Sequence, residues 1–351
     1  MYHRNKRIVL ITVVLTVSGF AQKTETLSFQ VGGKTRSCVV HIPDGITNPA
    51  LVFFVHGAGG SGAGFANDTR GNTTADREKF IAAYPSASSN GGSGTWDDMF
   101  GTGNFPFFLA VIDTIDARYQ IDRKRVYMTG FSQGGMISYV AGCSYSDVFA
   151  AVAPVSGHSG TSCTLKRPVP LFMTFGTKDM GDPSSFMADL AVWLKLDSCP
   201  STPEVTRPYP ATNPQSVVTR LTYGPCAQGS YVVVDSVQGG GHGWPTDTRT
   251  SVNQADEVWE FFKQFSLDDP TPVVRRHGAT GTAPVSAVFA SGSIRVTGAG
   301  ERCRVQVIDT RGRTVAREGA SSFSFSGRPA GVYMLHVNGN IGSAVVKMII
   351  P

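Results

Sequence analysis

Arg125-Val126-Tyr127-Met128-Thr129-Gly130-Phe131-Ser132-Gln133-Gly134-Gly135-Met136 is the stretch whose reading decides the fold. Residues 125–129 read as a strand, and Met136, Tyr139 and Val140 fall at helical spacing just beyond. Between them, Gly130-Phe131-Ser132-Gln133-Gly134 matches Gly-x-Ser-x-Gly. A strand that passes into a helix through so short a connection must turn sharply, with strand and helix packed close, and glycine permits both. Such an elbow lifts the serine hydroxyl clear of the sheet, which makes Ser132 the candidate nucleophile.

Working outward, Leu51-Val52-Phe53-Phe54-Val55 is a continuous apolar run, as expected of a strand buried on both faces. His56-Gly57-Ala58-Gly59-Gly60 follows it directly. Residues 27–31 and 37–42, joined across Gly32-Gly33, read as a hairpin. Further strands are expected at 80–84, 149–155, 170–175 and 231–237. Phe108, Val111, Ile112, Ile115 and Tyr119 make one helical stripe, and Ala255, Val258, Trp259, Phe262 and Phe265 make another; both are read as core packing. Alternating strands and helices imply an α/β domain with a doubly wound sheet over 22–266. Residues 267–285, with Pro270, Pro272 and Pro284, read as a linker. Short alternating runs at 293–296, 304–308, 323–325, 332–337 and 344–350 then predict a small all-β sandwich over 286–351.

The whole chain has 351 residues, 41% of them hydrophobic and 16% charged, which excludes general disorder. The 40 glycines and 20 prolines follow no Gly-X-Y period, which excludes a collagen-like chain. The net charge of +5 sits at the ends: +3 over residues 1–21 and +5 over 286–351, against −3 over 22–266. With no long basic stripe, nucleic acid is not an expected partner.

Arg4, Lys6 and Arg7, the apolar run 8–17 and Ser18-Gly19-Phe20-Ala21 form a secretory signal pattern over 1–21, cut after Ala21. The apolar run is about half the roughly 20 residues that a membrane span needs, so no stable span is expected and the mature chain is read as secreted or cell-surface. Export makes the six cysteines disulfide candidates. Cys143/Cys163 and Cys199/Cys226 are the favoured pairs. Cys38 and Cys303 are left either to an interdomain bridge or as unpaired thiols.

A serine hydroxyl needs a base, and the base an orienting carboxylate. On a sheet of this kind they follow the serine in the order acid, then histidine. Of seven histidines, His3, His41 and His56 precede Ser132, His158 follows it too soon, His277 lies in the linker and His336 in the tail. His242 remains, in Gly239-Gly240-Gly241-His242-Gly243-Trp244-Pro245, a glycine-rich loop after a strand. Asp179, after the strand 170–175, is the first choice of acid, with Asp182 as rival; a solvated turn carboxylate or a helix N-cap is the ordinary alternative for either. The oxyanion donors are expected at the backbone N–H groups of Gln133 and Ala58, with His56 bracing the loop rather than acting as base. Trp96 and Trp244 either stack on substrate or merely pack. No metal site is expected.

These segments resemble carbohydrate esterase family 1 and the related extracellular polyhydroxybutyrate depolymerases. The resemblance is carried by His56-Gly57, the Trp96 region, residues 121–136, residues 149–154, Gly176-Thr177-x-Asp179 and Gly241-His242-x-Trp244-Pro245. It spans most of 30–265. It implies an α/β-hydrolase fold and Ser–Asp–His ester hydrolysis without a cofactor, on feruloyl, acetylxylan or polyester substrates. Two departures stand out: Phe175-Gly176-Thr177 where relatives commonly have His-Gly-Thr, and Gly103-Asn104-Phe105-Pro106 where relatives often carry an Asp-Asp pair. The tail, through residues 305–312 and 329–335, resembles a C-terminal sorting domain of type IX secretion, which implies a secretion machinery as partner. The leading expectation is a secreted serine esterase acting on feruloyl or acetyl xylan esters. Polyhydroxybutyrate depolymerase is the alternative substrate reading; an inactive hydrolase-fold surface-binding protein and a peptidase are the alternatives of other classes.

Overall fold

The computed structural model describes residues 21–87, 94–158, 163–180, 183–246 and 252–267, together with most of 286–350 apart from short connections. The signal segment (but for Ala21), Asp182 and the linker beyond Leu267 lie outside the described residues.

The chain enters through the hairpin β1 (Lys23–Val31) and β2 (Lys34–Ile42), paired antiparallel over their whole length. Gly32 and Gly33, at φ 58° and 74°, make the turn that links them. The strands β3 (Leu51–Val55), β4 (Ile81–Pro85), β5 (Val126–Phe131), β6 (Ala151–Val155), β7 (Leu171–Gly176) and β10 (Val232–Val237) run parallel at the centre. The antiparallel pair β8 (Glu204–Tyr209) and β9 (Val218–Tyr223) closes the far edge. The order is β1-β2-β4-β3-β5-β6-β7-β10-β9-β8.

Strand periodicity divides the core between two faces. Leu51, Phe53 and Val55 join one hydrophobic cluster with side chains of α3 (Phe105–Tyr119), α4 (Gln133–Ser144) and α5 (Pro183–Leu196). Val52 and Phe54 join the other, with α1 (Gly62–Asp68), α2 (Gly71–Glu78) and α6 (Gln254–Phe262). This is the doubly wound arrangement expected from the sequence, with antiparallel strands added at both edges.

The differences have physical reasons. On α4, Tyr139 and Val140 of the stripe are buried and Met136 is half-buried, while Ile137 and Ala141 are buried as well, because this helix is enclosed on nearly every side. The strands β8 and β9 give no hydrophobic alternation because they form an edge, and β8 contains Pro208. The helices α1 (GAGFAND) and α2 (GNTTADRE) are short and poor in apolar residues, too brief for a periodic signal.

Cys143–Cys163 and Cys199–Cys226 are both bonded. Cys38 and Cys303 are free and buried, the first in the α/β core and the second in the tail's own core. The interdomain bridge left open by the sequence is therefore not formed, because each thiol packs inside a different hydrophobic cluster.

Among its described residues the tail has seven antiparallel strands: β11 (Ser286–Ala290), β12 (Ser293–Thr297), β13 (Cys303–Asp309), β14 (Thr314–Glu318), β15 (Ser322–Ser324), β16 (Gly331–Gly339) and β17 (Ser343–Ile350). They form sheets β11-β12-β15 and β14-β13-β16-β17. Ile294, Val296 and Phe325 from the first sheet and its flank share one core with Val305, Val307, Leu335 and Val337 from the second, which is the layering of a small sandwich.

Candidate active site

Ser132 sits between β5 and α4 at φ 56°, ψ −118°. Non-glycine residues in such a conformation store roughly 1–3 kcal/mol and persist only where their surroundings fix them. Here the Ser132 N–H donates to Val155 O (2.9 Å), and the Met136 N–H donates back to Ser132 O (3.0 Å), which starts the helix at once. The flanking glycines are steric necessities: a Cβ on Gly130 would lie 2.4 Å from Gly134 O, and one on Gly134 would lie 1.9 Å from Val55 O. The elbow therefore stands at the carboxyl ends of the parallel strands, where sheets of this class place their sites.

The acid and the histidine come from adjacent parallel strands. After β7, the Asp179 N–H donates to Gly176 O (3.1 Å); after β10, the loop is laced to this turn by Thr177 N–H to Val237 O (3.0 Å), Lys178 N–H to Gly240 O (2.8 Å) and Gly239 N–H to Thr177 Oγ1 (2.8 Å). His242 Nδ1 lies 2.6 Å from Asp179 Oδ1, with the aspartate side chain 1% exposed and the imidazole 20%. An ionised carboxylate only accepts, so Nδ1 carries the proton and donates, which leaves a lone pair on Nε2. Among the described residues Asp179 Oδ2, which is buried, has no hydrogen-bond partner. The His242 ring lies 4.7 Å, centroid to centroid, from Phe131, the residue before Ser132. Ser132 and His242 share no hydrogen bond among the described residues; in unliganded sites this contact is often long and tightens only in the reacting complex.

The loop after β3 packs on the other side of the elbow, where a Cβ on Gly57 would lie 3.0 Å from Ser132 Cβ. His56 is buried and braces this loop: its Nδ1–H donates to Gly57 O (2.7 Å) and its Nε2 accepts from the Ala87 N–H (3.1 Å). Using one ring nitrogen as donor and the other as acceptor requires the neutral ring, and burial lowers its pKa accordingly. Ala58 is exposed, and neither its N–H nor that of Gln133, in the first turn of α4, donates to an acceptor among the described residues.

The two tryptophans differ from a substrate-stacking pair. Trp96 is 2% exposed and packs against His56 and Phe108, so it presents no face to a ligand; that expectation is corrected by its burial. Trp244 is half-buried, 5.3 Å from Phe65 and 6.3 Å from Phe54 between ring centroids, and lines a cavity with Gly176, His242 and Pro245. Its Nε1 is buried and has no hydrogen-bond partner among the described residues.

Three neighbours of the site were not singled out by sequence reasoning. Met99 Sδ lies 3.4 Å from Gln133 Nε2. Phe100, 37% exposed, faces His158, which follows the Gly157 packed on Ser132 O. Gln254, fully buried at the start of α6, donates its Nε2–H to Thr174 Oγ1 (2.8 Å) and its N–H to Pro245 O (3.0 Å), tying the histidine loop to β7. An exposed aromatic in a Gly-rich loop was the readable signal for Phe100; Met99 and Gln254 carried none. Among the described residues no cluster of three or more His, Cys, Asp or Glu could hold a metal, and no helix is long and apolar enough to cross a membrane.

Residues 37–192 match the family model described as Esterase PHB depolymerase. The chain is 32% identical over 256 residues to a bifunctional acetylxylan esterase/xylanase of Neocallimastix patriciarum, covering 71% of this chain and 36% of that protein. It is 27% identical over 267 residues to Feruloyl esterase B of Piromyces equi, covering 66% and 46%. It is 29% identical over 158 residues to Poly(3-hydroxyalkanoate) depolymerase C of Paucimonas lemoignei, covering 41% and 37%. It therefore spans between about a third and a half of the length of these relatives. Among solved structures, an acetyl xylan esterase from Aspergillus awamori superimposes with a TM-score of 0.54 at 20% identity, covering 68% of this chain and 99% of that one. With the mixed sheet, its two helical layers and the serine elbow, this likeness shows that the chain has the α/β-hydrolase fold.

Proposed function

We propose that this chain is an exported serine esterase that hydrolyses feruloyl or acetyl esters on plant cell-wall polysaccharide through an acyl-enzyme. The observation that carries the reading is the 2.6 Å contact between the buried carboxylate of Asp179 and His242, beside a serine held at φ 56°. Ser132 Oγ attacks the ester carbonyl carbon while its proton passes to His242 Nε2. Asp179 keeps the imidazole in the productive tautomer and stabilises the imidazolium that forms. The carbonyl oxygen, now negative, accepts from the Ala58 and Gln133 N–H groups. The alcohol leaves with the proton from His242, and a water activated by the same nitrogen releases the acid.

The substrate class is favoured by the relatives named acetylxylan and feruloyl esterases. Export is favoured by the basic-apolar leader pattern and by two disulfides in the catalytic part. The tail sandwich is read as the part addressed by a secretion machinery. A polyester substrate is the second reading, favoured by the family description and by the depolymerase relative. Product release from methyl ferulate, acetylated xylan and a hydroxybutyrate oligomer, with Ser132→Ala alongside, separates the two. Ferulate or acetate release lost in the variant supports the cell-wall reading. Release from the oligomer alone replaces it with the polyester reading. No Ser132-dependent release from any of the three contradicts both.

A further inference from the structure

The segment around Trp96 crosses between the two loops that flank Ser132. It is joined to the loop after β3 by Gly59 N–H to Gly94 O (2.9 Å) and Gly94 N–H to Gly60 O (2.8 Å). Two residues on, the Trp96 indole N–H donates to His56 O (2.9 Å), with its ring 5.0 Å from the His56 imidazole. The Trp96 main-chain N–H donates to Gln133 Oε1 (3.2 Å). The next residue, Asp97, accepts from Arg36 Nη2 (2.9 Å), while Arg36 Nη1 donates to Ala87 O (2.8 Å). The strap is therefore anchored on the sheet as well as on both loops.

We infer that Trp96 is a positioning residue that fixes the separation of the two oxyanion donors, the N–H groups of Ala58 and Gln133. One of its hydrogen bonds holds the carbonyl two residues before Ala58, and the other holds the side chain of Gln133 itself. At 2% exposure it touches no substrate, and packing alone does not require an indole N–H aimed at a main-chain carbonyl. Preorganised donors act chiefly on the charge that develops at the tetrahedral stage, so loosening them weakens the transition state more than the bound ester. This inference rests on the esterase reading above and assigns a role within the same site.

The test uses two variants of the full chain. Trp96→Phe keeps an aromatic ring and removes the indole donor. Gln133→Met removes the side-chain acceptor and keeps the main-chain N–H. With 4-nitrophenyl acetate, each is expected to lower kcat about tenfold, a fraction of the loss on deleting a whole oxyanion donor, with KM within twofold. Affinity for phenylboronic acid, which forms a tetrahedral adduct on serine, falls by the same factor. The pH at half-maximal kcat stays in place, because the Asp179–His242 pair is untouched; a general loss of structure would not produce this split. Folded variants with wild-type kcat and boronate affinity overturn the inference, as does a loss confined to KM. If Trp96→Phe does not fold, Gln133→Met decides by the same criteria. Wild-type protein that releases no nitrophenol overturns the esterase reading and this inference with it, whereas active wild type with unaffected variants overturns this inference alone.

Discussion

Replacing Asp179 with Asn keeps the shape of the site and reverses its proton bookkeeping. The carboxylate is 1% exposed and its Oδ1 lies 2.6 Å from His242 Nδ1. In the proposed mechanism that contact becomes an ion pair with the imidazolium. With charge centres about 4 Å apart and an effective dielectric constant near 20, the pair is worth about 4 kcal/mol, or roughly a thousandfold in rate. Asn adds a second loss: its amide can donate to Nδ1, which places the ring proton on Nε2, where it blocks acceptance of the Ser132 proton. Together these put the expected fall in kcat at about 10³- to 10⁴-fold, with KM nearly unchanged because the side chain does not reach substrate. The assay is steady-state hydrolysis of 4-nitrophenyl acetate, with thermal unfolding to show that the isosteric variant folds. A variant retaining kcat within tenfold of wild type would refute the reasoning; Asp182→Asn, assayed beside it, would then show whether the rival carboxylate orients the histidine.

Other expectations follow from the same physical reading. Gly134→Ala places a Cβ 1.9 Å from Val55 O and 2.9 Å from His56 O, a clash with main chain that cannot move aside as a side chain would, so the variant is expected to lose more than about 3 kcal/mol by chemical denaturation or to fail to fold. Asp197 is fully buried, accepts from the Ser230 hydroxyl and the Val169 N–H, and burial pushes its pKa up to about 7. Because this folded-state pKa lies above the unfolded one near 4, the protonated form favours folding: the contribution is fully present below about pH 4 and is lost as pH rises to about 7. Denaturant unfolding at pH 5 and pH 8 should show this slope, and Asp197→Asn, which can retain both hydrogen bonds, should flatten it. Arg220 pairs with buried Asp235 (2.5 Å) and also reaches Glu257 (2.9 Å), so Arg220→Met, by stranding Asp235, is expected to cost about 3–5 kcal/mol of unfolding free energy. Most of that loss should return in Arg220→Met/Asp235→Leu.

The elbow was legible in the sequence because its constraint is local. A strand, a positive-φ serine and glycines that must carry no Cβ leave a pentapeptide signature, and the buried strand 51–55 leaves an unbroken apolar run. The helical stripes of α3 and α6 were legible because each presents one face to a sheet. The α4 stripe, through Tyr139 and Val140, captured only part of the buried surface, because a helix enclosed nearly all round has no polar face to set the phase. Edge strands such as β8 draw their stability from ladder hydrogen bonds rather than side-chain burial, so their sequence resembles a loop. Chain order placed Asp179 and His242 as candidates, and loop-to-loop hydrogen bonds that no sequence pattern encodes bring them into contact. Trp96 shows the limit most clearly. An aromatic residue near a site reads equally as a ligand platform or as packing, and only its burial and its two donated hydrogen bonds distinguish them.

The central claim is that Ser132 carries the acyl group during turnover. The most direct measurement is rapid quenching of the reaction with 4-nitrophenyl acetate, followed by peptide mass mapping of the trapped protein. The expected result is one acetyl adduct on the peptide bearing Ser132. The adduct should be absent in Ser132→Ala and should form at least about a thousandfold more slowly in His242→Ala. Turnover that persists in Ser132→Ala, or an adduct that maps to another residue, would contradict the account.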